Sequence, residues 1–404
     1  MGAKWVPRLL LTITLLLPAT AWSVEIHGRS STQLEWFNNY FNDQRQVEVG
    51  QYLRFSMTNI DKAGKFSIYG YGRMNQDLNN GDGFNARLYY LYGEYRGLFD
   101  KVDMRLGRQF VNYAAGTAII DGGQVELKNI GPVAFSAAFG RNVFFDIDGG
   151  EAGHGGDLAL ALSAYLHGFR HTDLEVSWFR KWDRWDVARD TIGATFKQNI
   201  FNSLKVYGNT RFDLASETFN EVMGGVKYFP MSNLVLTGEY YQSYPTFDAT
   251  SIYSVFAVDQ YQEAVFRADY TINSMITLNG GYTSQWFGEG GRGHIYHIGC
   301  GLRPIDSLLI NLEYDNNQGY NGKTNGFLLD AYYDLTKSLQ LAAGMGYDVY
   351  TRDIVLSDGT ARLFWLGGKY RIAKNMTASL RIEDNSNERY SNDVQGRFVF
   401  NYDF

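Results

Sequence analysis

The 404-residue chain sets 37 Lys and Arg against 43 Asp and Glu, for a net charge of −6. So mild an acidity gives no signal for nucleic acid as a partner. Aromatic residues make up 16% of the chain, with 29 Tyr and 44 Gly but only 6 Pro, a balance that favours an all-β protein.

The first element in chain order is a secretory signal over residues 1–23. Lys4 and Arg8 form its positive flank, and LLLTITLLL (9–17) forms its apolar core. Ala19 with Ala21, or Ala21 with Ser23, fits a small-residue cleavage site, so cleavage follows residue 21 or 23. The apolar run is too short to span a bilayer, and no later run reaches the length of a transmembrane helix. No Cys follows the cleavage region, which argues against a lipid anchor.

From residue 24 onward the chain reads as one domain of alternating strands. The first is VEIHGRSSTQLEW (24–36). In SLKVYGNTRFD (203–213), Leu204, Val206 and Phe212 oppose Lys205, Tyr207, Asn209, Arg211 and Asp213. AVFRADYTI (264–272), SLLINLEYD (307–315) and MTASLRIED (376–384) repeat the pattern. This is period two, with one apolar and one polar face. The segment 84–125 is less regular. In RLYYLYGEYR (87–96) both faces carry Tyr or Leu, so a register shift is expected there.

The connections fall into two sets. DKAG (61–64), LFDK (98–101), NIGP (129–132), RHTD (170–173), FPMSN (229–233), RPIDS (303–307), LTKS (335–338) and IAKN (372–375) are tight. Stretches 79–84, 146–156, 244–260, 288–293, 316–323, 352–360 and 384–392 are longer and polar or Gly-rich. Tight and long turns alternating down a chain are the mark of a transmembrane β-barrel. The count predicts a transmembrane antiparallel up-and-down β-barrel of about 22 strands, within about 18 to 24, over residues 24–404 and with no plug domain.

Aromatics on the apolar faces support this. Trp36, Trp178, Tyr240, Tyr244, Trp286, Tyr314 and Tyr347 end strands running one way, and Tyr228, Tyr270, Tyr333, Tyr370 and Tyr402 end strands running the other. Opposite strand directions place the two sets at opposite rims, where amphipathic rings meet a membrane interface. Soluble propellers and double sandwiches share the short alternating strands but not these girdles.

The chain closes on RFVFNYDF (397–404), with Phe398, Phe400, Tyr402 and Phe404 on one face. This ending resembles the C-terminal signal of Gram-negative outer-membrane porin-like β-barrel proteins. MRLGRQF (104–110) resembles a strand common in those barrels. The resemblance implies an outer-membrane location, with lipid around the barrel and a channel within. In size and plan the chain also resembles the barrel subunits of porin–cytochrome conduits. That resemblance implies a lumen-filling periplasmic or surface multihaem cytochrome as partner, for extracellular electron transfer.

The chain offers little chemistry of its own, and no enzyme is expected. Cys300 is the only cysteine, so no internal disulfide forms and no c-type haem can be attached. Cys300 falls on an apolar face with Tyr296, Ile298 and Leu302. His294 and His297 are three apart on a strand and point to opposite faces, a poor metal pair. HGGD (154–157) is a weak calcium candidate in a loop. Glu313 and Asp315 share one strand face and would carry an outer-membrane hydrolase site, the remotest reading. Two carboxylates in a hydrated channel is the preferred account of them.

The residues expected to face the lumen are mixed in sign. Arg54, Arg73, Lys205, Arg211, Arg267, Arg381 and Arg397 stand against Glu35, Glu175, Glu239, Asp269, Glu313, Asp315, Asp330 and Glu383. No ring of one sign emerges to select ions strongly. Two functions fit. A wide barrel of about 22 strands, about 44 Å across with a lumen of about 30 Å, needs a second protein to fill it. With fewer strands and inward loops, it would be an open diffusion porin for small polar solutes, narrowed by Tyr69, Tyr207, Tyr241 and Trp365.

Overall fold

The computed structural model describes residues 24–39, 44–80, 83–145, 151–251, 259–288, 290–319, 322–352 and 358–404. The expected signal segment 1–23 lies outside them, as do parts of several expected long loops. The strands are β1 Glu25–Asn39, β2 Gln44–Thr58, β3 Phe66–Asp77, β4 Asn85–Leu98, β5 Val102–Tyr113, β6 Gly116–Ile130, β7 Val133–Asn142, β8 Phe144–Phe145, β9 Glu151–Ala152, β10 Leu158–Phe169, β11 Thr172–Asp183 and β12 Asp186–Phe201. They continue as β13 Leu204–Asp213, β14 Thr218–Met231, β15 Leu234–Ser243, β16 Tyr261–Thr271, β17 Ile276–Phe287, β18 Gly291–Ile305, β19 Leu308–Gly319, β20 Gly322–Asp334, β21 Leu339–Arg352, β22 Asp358–Ala373, β23 Met376–Ser386 and β24 Asp393–Asp403.

Twenty-two of these form one antiparallel sheet in chain order, and β1 pairs β24 to close it. The short β8–β9 hairpin stands apart from that sheet. No helix and no separate plug occurs among the described residues. Closure sets Leu34 against Phe398, Thr32 against Phe400 and Ser30 against Tyr402. Phe404 exchanges both backbone hydrogen bonds with Gly28, at 2.8 and 3.0 Å. The other face of the seam carries two ion pairs, Arg29–Asp403 at 2.6 Å and Arg397–Glu35 at 2.9 Å. Each edge is therefore satisfied, as hydrocarbon requires.

Two local expectations need correction. Tight and long connections do not alternate strictly. Among the connections on the far side of the chain from its termini, Tyr113 to Gly116, Asp183 to Asp186 and Asp213 to Thr218 are short as well. In the second of these, Arg184 and Trp185 both take positive φ, 51° and 76°. That is the backbone of a two-residue hairpin turn without the Gly or Asn that advertises one. Several stretches read as loops are also strand. In 316–323, β19 runs to Gly319 and β20 resumes at Gly322. The ladder needs only backbone groups, so it continues into polar sequence beyond the membrane. The register shift expected in 87–96 is present: β3 and β4 slip between Tyr71 and Gly72, opposite Tyr90 and Leu88.

At the seam, Trp36 lies over Gly396, its cross-strand partner on the lipid face. A Cβ on Gly396 would fall 1.9 Å from the indole. Gly396→Val is expected to displace Trp36 and weaken the closing pair by about 1–3 kcal/mol. A lowered urea midpoint for the folded band on unheated gels would register this, and an unchanged midpoint would contradict it.

Candidate functional site

Alternation and register together sort the side chains into two faces. Phe398, Phe400 and Tyr402 share the outer face with Leu34 and Leu380. The girdle residues Tyr228, Tyr240, Tyr270, Tyr314, Tyr333, Tyr347 and Tyr370 are exposed on that face. Following the register strand by strand puts Arg54, Arg73, Lys205, Arg211, Glu239, Arg267, Asp269, Glu313, Asp315, Asp330, Arg381, Glu383 and Arg397 on the opposite, inner face.

Most inner charges have partners within reach of their own strands. Arg381 bonds Glu383 at 3.0 Å and lies 4.2 Å over the Trp365 ring. The Trp365 indole N–H donates to Asp330 at 3.0 Å. Tyr207 donates to Glu239. His297 bridges Asp315 at 2.7 Å and Asn279 at 2.8 Å. Asp315 is thus engaged across the strands. His294 is on the outer face, with Nδ1 2.8 Å from the Tyr282 hydroxyl. His154 and Asp157 do meet Asp183 in one cluster. Asp157, however, accepts the backbone N–H groups of His154 and Arg184, which closes that corner as a turn.

The bore is not an empty cylinder. β4 pairs β5 only as far as Arg108, and β6 pairs β7 only from Ile120. Residues 109–119 form a ladder of their own and leave the wall, tied back at its base by the Val143 N–H bond to the Ile119 carbonyl at 2.8 Å. Gly107 makes the departure possible. It sits at φ 127°, and a Cβ there would lie 2.4 Å from the Leu91 carbonyl oxygen. The hairpin then lies along the inner face of β7 and β10–β13. Val111, Tyr113, Ala115, Ala118 and Ile120 pack on Ala138, Ala159, Ala161 and Phe179 in a buried apolar core.

Four hydrogen bonds fix the hairpin tip. Ala114 N–H donates to Glu175 and Ala115 N–H to Ser177, both at 2.8 Å. The Thr191 hydroxyl donates to the Ala115 carbonyl at 2.8 Å and Arg211 to that of Ala114 at 3.3 Å. Phe110, Asn112 and Thr117 are exposed on the side away from this core.

The loop after β15 thickens the same sector. Asp248 takes Lys181 of β11 and Arg189 of β12, and Ala249 N–H reaches the Ala188 carbonyl at 2.7 Å. Thr246 accepts from Asn220 and donates to Asp213. Burial works against ionisation of Asp248, but the hydrogen bond and charge of Lys181, aided by Arg189, outweigh it and hold this carboxyl below its usual range. No local pattern signals that the expected loop and the 109–119 segment share one side of the bore.

Charge is also distributed unevenly. Arg29, Arg54, Arg73, Arg87 and Arg105 share the inner face of β1–β5 with Glu35, Glu48, Asp77, Glu94 and Asp103, while Glu313, Asp315, Asp330 and Asp348 line β19–β21. The inner set is mixed in sign, with its carboxylate excess on β19–β21.

Replacing 110–119 by a short Gly-Ser link is expected to widen the passage and raise single-channel conductance about twofold. Unchanged conductance would place the hairpin outside the conducting path. Asp248→Asn is expected to free its loop at neutral pH, read as several-fold faster proteolytic cleavage within 244–251. In the unaltered protein the depressed carboxyl keeps the tie at neutral pH. It is lost only as pH falls through the folded-state value, below the ordinary carboxylate range.

No protein-family model and no curated protein matches the chain. Solved structures do. A mutant of the ferric enterobactin receptor of Pseudomonas aeruginosa superposes with a TM-score of 0.63 at 10% identity, covering 95% of this chain and 81% of the other. A second mutant of that receptor gives 0.60 at 10% identity, covering 94% and 80%. A BenF-like porin from Pseudomonas fluorescens gives 0.48 at 10% identity, covering 95% and 98%. At such identities the likeness is one of fold alone, that of a closed antiparallel β-barrel of 22 strands.

Proposed function

We propose that this barrel is a wide passage across the Gram-negative outer membrane whose bore houses a second protein. The observation that carries the reading is the closed count of 22 strands. Strands about 4.8 Å apart and tilted about 40° close to a backbone diameter of about 44 Å, leaving about 30 Å between side chains. A hairpin packed flat on one sector removes about 10 Å of that. A span of about 20 Å is still far more than a small solute needs. Left open it would leak, so an occupant belongs there.

The resemblance in size and plan to porin–cytochrome barrels supplies the kind of occupant, a multihaem cytochrome. The barrel would then be an insulating sheath. Nothing in the chain competes for the haem role, since Cys300 sits on the outer face with Tyr296, Ile298 and Leu302.

One observation favours a second reading. The 109–119 hairpin and the 244–251 segment both narrow the bore, as in an open diffusion porin for small polar solutes.

Planar bilayers separate the two. The purified barrel alone is expected to give a very large conductance that a co-purified haem protein closes. A single small, stable conductance from the barrel alone would overturn the sheath reading and establish the porin.

A further inference from the structure

The inner face of β2–β4 builds two rows of side chains. Arg54, Tyr71 and Tyr90 form one, and Tyr52, Arg73 and Arg87 form the other. Arg29 stands opposite Arg54. Arginines therefore meet directly across strands twice, at Arg29/Arg54 and Arg73/Arg87. Like charges so placed destabilise a sheet.

One other arginine meeting, beside the seam, is compensated. Arg381 faces Arg397, but Arg381 bonds Glu383 at 3.0 Å and Arg397 bonds Glu35 at 2.9 Å. Arg29 has Asp403 at 2.6 Å. Arg54 and Arg73 have no such acid. Among the described residues no side-chain hydrogen bond or ion pair reaches either, and Nε of Arg73 is buried without a partner. A buried guanidinium N–H without an acceptor is costly.

Around these two cations the wall is aromatic. Tyr71 stacks on Tyr89 with centroids 4.8 Å apart, and Tyr69 on Tyr92 at 5.3 Å. A cavity of about 570 Å³ opens on this wall beside Arg54, bordered by Tyr69, Tyr90, Tyr92 and the Arg29–Asp403 ion pair; Arg73 lies outside its lining, one diagonal step along the same face. Arg54 and Arg73 are diagonal neighbours, about 7–8 Å apart at the backbone. One carboxylate or phosphate between them can accept N–H groups from both.

We propose that this wall binds a small organic oxyanion, its carboxylate or phosphate group between Arg54 and Arg73 and its body against the tyrosine rings. The ligand supplies the counter-charge that the chain omits. The site belongs to the barrel itself and stands whether the bore is open or filled.

Calorimetric titration of the purified barrel with citrate and with inorganic phosphate tests the site without reference to any occupant. Citrate is expected to bind the unaltered protein and to bind the Arg54→Gln, Arg73→Gln double variant at least about tenfold more weakly. Arg54→Lys with Arg73→Lys keeps the charge but not the fork, so an intermediate affinity is expected. Arg397→Gln, in a compensated pair, is expected to match the unaltered protein. Equal citrate affinity in the unaltered and Gln proteins overturns the proposal, as does absence of binding by both probes. If the Gln variant does not assemble, an unchanged affinity in the Lys variant overturns it. Binding of poly-glutamate without citrate or phosphate also overturns it and turns the wall into a docking face for an acidic protein.

Discussion

An unpaired strand edge cannot persist in hydrocarbon. Each backbone N–H and C=O must find a partner within the protein, so the sheet has to close on itself. Here β1 meets β24 and the circle holds 22 strands. The strand number then fixes the diameter, and the diameter exceeds what inward side chains can fill. The bore must be narrowed by folded chain, occupied by something else, or left as a large hole. Both the hairpin and the proposed occupant follow from that geometry.

The hairpin creates a problem where it departs. Once 109–119 leave the wall, the upper part of β4 loses its neighbour on that side. A dense polar patch covers the breach. Arg108 is almost fully buried, bonds Asp121 through two nitrogens at 2.7 Å, and also bonds Glu151 of β9. Its guanidinium donates as well to the Leu88 carbonyl at 3.2 Å, one of the groups left bare on β4. A buried charge in such a place costs heavily unless each donor is used. Arg108, with five donors in a rigid fork, suits a site where two carboxylates and a carbonyl converge. The short β8–β9 hairpin is best understood as the piece that brings Glu151 to this site.

Much of the fold was legible because its causes are local. Period-two alternation in β13, β16, β19 and β23 follows from one face meeting lipid and the other water. The girdle tyrosines followed from strand direction alone. The seam could be read from Phe398, Phe400 and Tyr402, whose shared aromatic face suits lipid. The hairpin was not legible. Val111, Tyr113, Ala115 and Ala118 are buried by residues up to about 70 positions away in sequence, on Ala161 and Phe179. Within 84–125 the alternation fails, and that failure was the one signal available. It marks where strands serve two inner layers instead of lipid and water. The short turn at Arg184 and Trp185 was hidden for another reason: positive φ was imposed by the hairpin on residues that do not favour it.

The gathering of carboxylates on β19–β21 was equally invisible in a list of inner residues, because a list has no circumference. The consequence is physical. Screening at physiological salt acts over about 8 Å. The mixed wall of β1–β5 and the carboxylate-rich wall of β19–β21 therefore act separately across a water-filled bore of about 20 Å. Each acts on what lies against it. A near-neutral total would make this a poor ion selector, yet either wall can orient a molecule that touches it. The 109–119 hairpin adds Phe110, Asn112 and Thr117 to the bore, and so a third, uncharged surface. An occupant or solute meets three chemically distinct sides, so its orientation is set by which side it touches and not by the mean charge of the passage.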